Sequence, residues 1–201
     1  MSRTRSALVI ALFLILIALT AAAQDQTQNK DAWQIDPMHS SAQFTVRHLG
    51  ISTVRGAFTK VSGTILLDEA NPAKDQIQAT IDASSVDTRV EMRDNDLRSP
   101  NFLDVQKFPT ITFKSKKVDP AGPGKLKIAG DLTIHGVTKE VVLDVDGPTP
   151  AIKDPWGNQR HGASASVKII RQDFGVNGAP GVVGDELTLN IDVEFFKPPA
   201  K

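Results

Sequence analysis

Cysteine and tyrosine are both absent from the 201 residues, and tryptophan occurs only twice. Without cysteine there are neither disulfides nor thiolate metal ligands, so the folded domain must be held together by its core alone. No charge sign is in excess, with 23 Lys and Arg against 23 Asp and Glu. Phosphate binding needs clustered positive charge, which makes nucleic acid a poor partner. Signatures of catalysis are missing too: there is no G-x-S-x-G elbow, no H-E-x-x-H helix and no phosphate loop. The four histidines lack metal-ligand spacing, so neither a metal site nor a catalytic set is assigned.

A long apolar run is present once. Arg3 and Arg5 precede the unbroken stretch Ala7 to Leu19, and Ala21-Ala22-Ala23 follows it. Thirteen residues are short for a bilayer, which takes about 20 in a helix, and this three-part layout predicts a signal peptide over 1–23 cleaved near Ala23. No cysteine follows to take a lipid anchor, so a periplasmic or secreted location is expected. The mature chain would be 178 residues long, with 21 basic against 23 acidic side chains and a net charge of −2, enough for one domain with a sizeable core. Residues 24–31, "QDQTQNKD", read as a polar tether, and 32–197 as the domain.

From Trp33 onward apolar residues recur with period two. Ala42, Phe44 and Val46 share a face, as do Val61, Gly63 and Ile65, then Ile111 and Phe113, then Leu126, Ile128, Leu132 and Ile134. "ASASVKII" places Ala163, Ala165, Val167 and Ile169 together, and "LTLNIDVEF" sets Leu187, Leu189, Ile191, Val193 and Phe195 against polar neighbours. This is the pattern of strands with one buried face. Their other face is polar, without an apolar band or aromatic girdle, which excludes an outer-membrane barrel.

"GDLTIHGVTKEVVLDV", residues 130–145, fixes a register. An even-numbered loop pairs Ile134 with Val137, Ile128 with Leu143 and Leu126 with Val145, while Lys127 meets Asp144 and Lys125 meets Asp146. A three-residue loop would put every apolar residue opposite a polar one. The even loop leaves Asp131 facing Glu140, and His135-Gly136 becomes the turn.

Residues 82–110 break the alternation. Thr88 with Glu91 fits a capping box, Val90 and Leu97 lie seven apart on one helical face, and Ser99-Pro100 stops the helix. A helical insertion over about 88–104 is expected, with Phe102 and Leu103 available as a plug. Strands in consecutive hairpins with one inserted helix favour a closed barrel over a sandwich. About eight strands enclose an interior that side chains can fill or one small ligand can occupy. Small inward residues (Ala42, Gly63, Gly130, Ala163, Ala165) mark either close packing or unfilled space.

Several stretches together resemble the YceI-like family of exported lipid-binding proteins: "HSSAQFTVRHLGISTVRGAF" (39–58), "LRSPNFLDVQKFPTITF" (97–113), "GDLTIHGVTKEVVLDV" (130–145), "DPWGNQRHG" (154–162) and "DELTLNIDVEF" (185–195). Two positions depart from the family pattern. Asp96 stands where many members carry His, and Phe108 where many carry Tyr. The resemblance implies an all-β, eight-stranded antiparallel, lipocalin-like barrel with a helix beside one opening. It implies a cavity for a polyisoprenoid or other long-chain lipid, such as a quinone or an amphiphilic amide, with no required cofactor.

On that reading Phe44, Val46, Ile65, Phe113, Leu132, Ile134, Leu143, Val167, Ile169, Leu189 and Ile191 line the tunnel. Polar residues flanking the strands, His48, Arg55, Arg98, His135, His161 and Arg171, are the head-group candidates, since Arg forks to phosphate or carbonyl oxygens. A five-carbon isoprene unit contributes about 3–4 kcal/mol gross on burial, and association costs of the order of 4–15 kcal/mol, so a few buried units suffice for useful affinity. A carrier or store is expected, with transient membrane contact and a homodimer as further expectations. The competing readings are an enzyme acting on a small lipid-like ester and a structural or stress-interaction barrel without lipid.

Overall fold

The computed structural model describes residues 32–199; the expected signal peptide (1–23) and the expected tether (24–31) lie outside them. The strands are β1 (Trp33–Ile35), β2 (Ser41–His48), β3 (Ser52–Phe58), β4 (Val61–Leu66), β5 (Gln76–Asp82) and β6 (Val86–Asp87). Helix α1 (Glu91–Arg98) follows, then β7 (Thr110–Gly122), β8 (Lys125–Ile134), β9 (Val137–Asp146), β10 (Ile152–Lys153), β11 (Gln159–Ile170) and β12 (Val183–Lys197). Three pairs act as single bent staves: β1 with β2, β3 with β4, and β5 with β6. With these joined, eight antiparallel staves run in sequence order, and β12 closes the ring by pairing with β2 and β1 as well as with β11. The small strand β10 lies outside the ring as a hairpin partner of β11. Closure leaves one apolar face inside, which is why period two runs through the strands from Trp33 onward.

The hairpin of β8 and β9 has the register that its side chains demand. Ile134 pairs with Val137, Ile128 with Leu143 and Leu126 with Val145. His135 (φ 51°) and Gly136 (φ 74°) form a two-residue turn with both residues left-handed. The Asp131–Glu140 conflict is resolved from β7, because Lys116 Nζ lies 2.6 Å from Asp131 and 3.2 Å from Glu140. These two carboxylates hold the Lys116 ammonium in its charged form and raise its pKa.

Continuity is uneven around the ring. Strands β11 and β12 pair over twelve registered positions and β8 and β9 over ten, but β9 and β11 pair only at Asp144–Asp146 with Ser164–Ser166. Toward the end carrying α1, those two strands are not paired. That end, the roof, holds the connections 49–51, 88–109, 135–136 and 171–182; the floor holds 67–75, 123–124 and 147–158.

The helix differs from the sequence expectation. It begins at Glu91, its cap residue Val90 makes no side-chain cap bond, and Thr88 stands outside it. Asp94 instead reaches back and accepts from the Thr88 N–H (2.9 Å) and hydroxyl (2.5 Å). Arg89 in the left-handed region (φ 63°) separates Thr88 from the helix, so the spacing of a capping box is lost. Val90 is exposed while Leu97 packs on the core, so the two do not share a buried face.

Candidate functional site: an apolar cavity inside the barrel

Between roof and floor the ring is hollow. A cavity of about 240 Å³ is lined from every stave of the ring. One water needs roughly 10–15 Å³ of such space, so this is no packing defect. No polar surface faces it, although Gln43, Ser164 and Arg171 touch its wall. All eleven residues expected to line a tunnel do so, from Phe44 and Val46 on β2 to Leu189 and Ile191 on β12.

The small inward residues divide in their meaning. Ala42, Ala163 and Ala165 border the void and widen it. Gly63 and Gly130 do not: a Cβ would lie 2.1 Å from the Gln78 carbonyl oxygen at the first and 2.5 Å from the Lys114 carbonyl oxygen at the second. Those two glycines exist for close strand approach.

Strand β5 supplies Ile77, Ala79 and Ile81 to the wall, residues the sequence reading did not single out. Their alternation in "QIQATI" is the signal that could have found them. Leu97, Phe102 and Leu103 close the roof together with Phe174 and Val176 from the connection to β12. At the floor Trp33, His161 and Phe195 stack inward, the histidine ring 4.5 Å from the Trp33 ring and 5.4 Å from Phe195.

The six head-group candidates separate by geometry. Arg171 is buried and donates four hydrogen bonds, to the carbonyls of Val176, Gly178, Val183 and Gly184 at 2.7–3.0 Å, while the Asp185 carboxylate lies 3.2 Å from Nη2 as an ion-pair partner. It clamps the roof connection, with four of its five N–H groups spent on backbone carbonyls and its charge matched by Asp185. Arg98 likewise donates to the carbonyls of Ser84 and Val86 and to Asn95, tying α1 to the barrel. Arg55 pairs with Thr45 on the outer face and does not look inward.

His161 lies in the floor, far from the roof. Its Nδ1 contacts the Thr149 carbonyl at 2.6 Å, and since that oxygen can only accept, Nδ1 carries the hydrogen. Its Nε2 is buried without a protein partner. His48 and His135 remain at the roof rim. The former ends the inward row Ala42, Phe44, Val46 of β2, and the latter rests edge-on against Phe108, ring centres 4.4 Å apart.

Below the floor lies a cluster that sequence reading missed. Asp36, His39 and Glu194 bring ligand atoms within 4.8 Å of one another. A cation is already there: Arg160 donates to Asp36 (2.6 Å), Asp154 (2.8 Å) and Glu194 (3.2 Å). Burial pushes the Asp36 and Asp154 carboxyls up, but the hydrogen bonds from Arg160, joined by His39 at Asp36 and by Asn158 at Asp154, outweigh it and hold both at about 2.

Comparison with known proteins matches a YceI-like domain to residues 33–195. The protein YceI of Escherichia coli O157:H7 is 39 % identical over 181 residues, covering 90 % of this chain and 91 % of that protein. The crystal structure of a Campylobacter jejuni YCEI protein superposes with a TM-score of 0.67 at 35 % identity, covering 76 % of this chain and 90 % of the other. A polyisoprenoid binding domain from Saccharophagus degradans, implicated in plant cell wall breakdown, superposes with a TM-score of 0.61 over 83 % of this chain and 98 % of its own; at 18 % identity it shares the fold.

Proposed function

The chain belongs to the YceI-like family, and on that premise we propose that it is an exported carrier or store that sequesters the tail of a polyisoprenoid or similar long-chain lipid. One observation carries this reading: a void lined from all eight staves with no polar surface facing it. Water gains nothing in such a space, whereas a hydrocarbon chain gains about 0.8 kcal/mol for each buried CH₂. The polyisoprenoid named for the Saccharophagus domain of the same fold supports a prenyl tail as the occupant. The head group lies at the roof rim, where His48 and His135 stand. The one hydroxyl touching its wall, Ser164, gives its hydrogen to Asp192, and no histidine or carboxylate lines the void, so the cavity is suited to holding a chain and not to cleaving one.

Native mass spectrometry of the purified mature protein, before and after organic extraction, tests this. The expected result is an adduct of lipid mass that extraction removes and added prenyl lipid restores. Protein that is always empty and refuses added lipid refutes it.

A further inference from the structure

We propose that lipid enters and leaves sideways, through a window in the barrel wall between β9 and β11; this rests on the cavity reading above. The ladder between these strands stops at Asp144 and Ser166. Had it continued, Leu143 would face Val167, Val142 would face Lys168 and Val141 would face Ile169, yet none of these pairs forms. Below, the window is bounded by the three pairs that do form. Above, it is bounded by the short turn Arg171–Phe174 and by Gly175, which sits against His135 and Val137.

The window opens directly onto the cavity. Leu143 on one side and Val167 and Ile169 on the other belong to its lining. The outer lips are apolar as well: Val142 and Ile170 are 49 % and 40 % exposed. Three charged residues share those lips; Lys168 and Glu140 are drawn back from the opening, and Lys139 stands exposed at its upper corner, two residues from Val137. Lys168 reaches Glu186 on β12 at 2.9 Å, and Glu140 reaches Lys116 on β7 at 3.2 Å. A hydrocarbon chain thus meets apolar surface continuously from solvent to void.

The alternative routes are obstructed. At the roof Phe102, Phe174 and Val176 are buried, and their loops are held by the four hydrogen bonds and one ion pair of Arg171 and the three hydrogen bonds of Arg98. At the floor the Trp33, His161 and Phe195 rings are buried and packed on one another, and Val118, Ile128 and Val145 form a second buried cluster on the β7–β9 side. Opening either end means breaking buried packing and hydrogen bonds, whereas spreading β9 from β11 breaks no ladder bonds along Glu140–Leu143 and Val167–Ile170.

The test closes the window. The protein contains no cysteine, so a double variant, Val142→Cys with Lys168→Cys, can be bridged after folding with a short bis-maleimide, its unbridged form serving as reference. Uptake and release of a fluorescent polyene fatty acid are followed by stopped flow. Bridging is expected to slow both rates tenfold or more while leaving Kd unchanged; rates within twofold of the unbridged form overturn the portal. Hydrogen exchange on the unaltered protein gives an independent reading. Amides pointing across the window are expected to exchange much faster than those of the β8–β9 ladder, and equal protection of the two sets overturns the portal. An unaltered protein that never takes up the probe refutes the cavity reading itself, and the portal falls with it.

Discussion

Arg160 shows what one residue does in a barrel without covalent cross-links. Its guanidinium joins β11 to Asp36 beyond β1, to Asp154 beside β10 and to Glu194 on β12. The partner carboxylates of Asp36 and Asp154 keep 8 % and 5 % of their side-chain surface, so Arg160→Ala strands two buried charges. A loss of about 2–3 kcal/mol is expected, at or below the low end of the range for buried pairs, because Arg160 itself remains 16 % exposed; urea denaturation measures it. The pH dependence has a definite sign. Both carboxyls titrate lower folded (about 2) than in the unfolded chain (about 3.8), so their contribution is complete above pH 4 and is lost as pH falls toward 2. The Arg160→Ala protein should lose much of that acid dependence. Sequence reading found the tunnel residues because alternation reports which face is buried. It could not find the Arg160 cluster, whose members lie up to 158 positions apart (Asp36 to Glu194), nor foresee that Arg171 spends its donors on backbone carbonyls, which leave no side-chain pattern.

At the scale of elements, the β8–β9 hairpin was fully legible and α1 only roughly. The hairpin's register follows from local side-chain parity, which a slip of one residue would invert along its whole length. The start of the helix depends on where Asp94 finds a donor, and Thr88 offered one outside the helix. The His135-Gly136 turn supplies a sharp check. Gly136 has φ 74°, and a Cβ there would lie 2.5 Å from Phe108 Cε1. Gly136→Val therefore combines a left-handed β-branched residue with a clash against the roof. A destabilisation of about 2 kcal/mol or more is expected, read as a lower denaturation midpoint at unchanged m-value.

For the whole molecule, the choice between sandwich and barrel rested on consecutive hairpins, and the β12 pairings with β11, β2 and β1 decide it. Whether the interior was hollow could not be read from composition, since Ala and Gly look alike in a strand whether they face space or another backbone. Ala165→Trp exploits the distinction. The indole projects into the void, so lipid affinity is expected to fall tenfold or more in a probe titration. Thermal stability should hold or rise, as it does when a cavity is filled without strain; a collapse of the melting temperature with unchanged affinity would show that the position is packed.

The floor also makes the molecule self-reporting in optical terms. With tyrosine absent and two tryptophans present, excited-state emission comes from indole alone. Trp33 keeps 5 % of its surface beneath the void, whereas Trp156 keeps 78 % in solvent. A soluble quencher such as iodide silences the outer fluorophore, leaving the inner one to signal the arrival of a conjugated tail overhead without any attached dye.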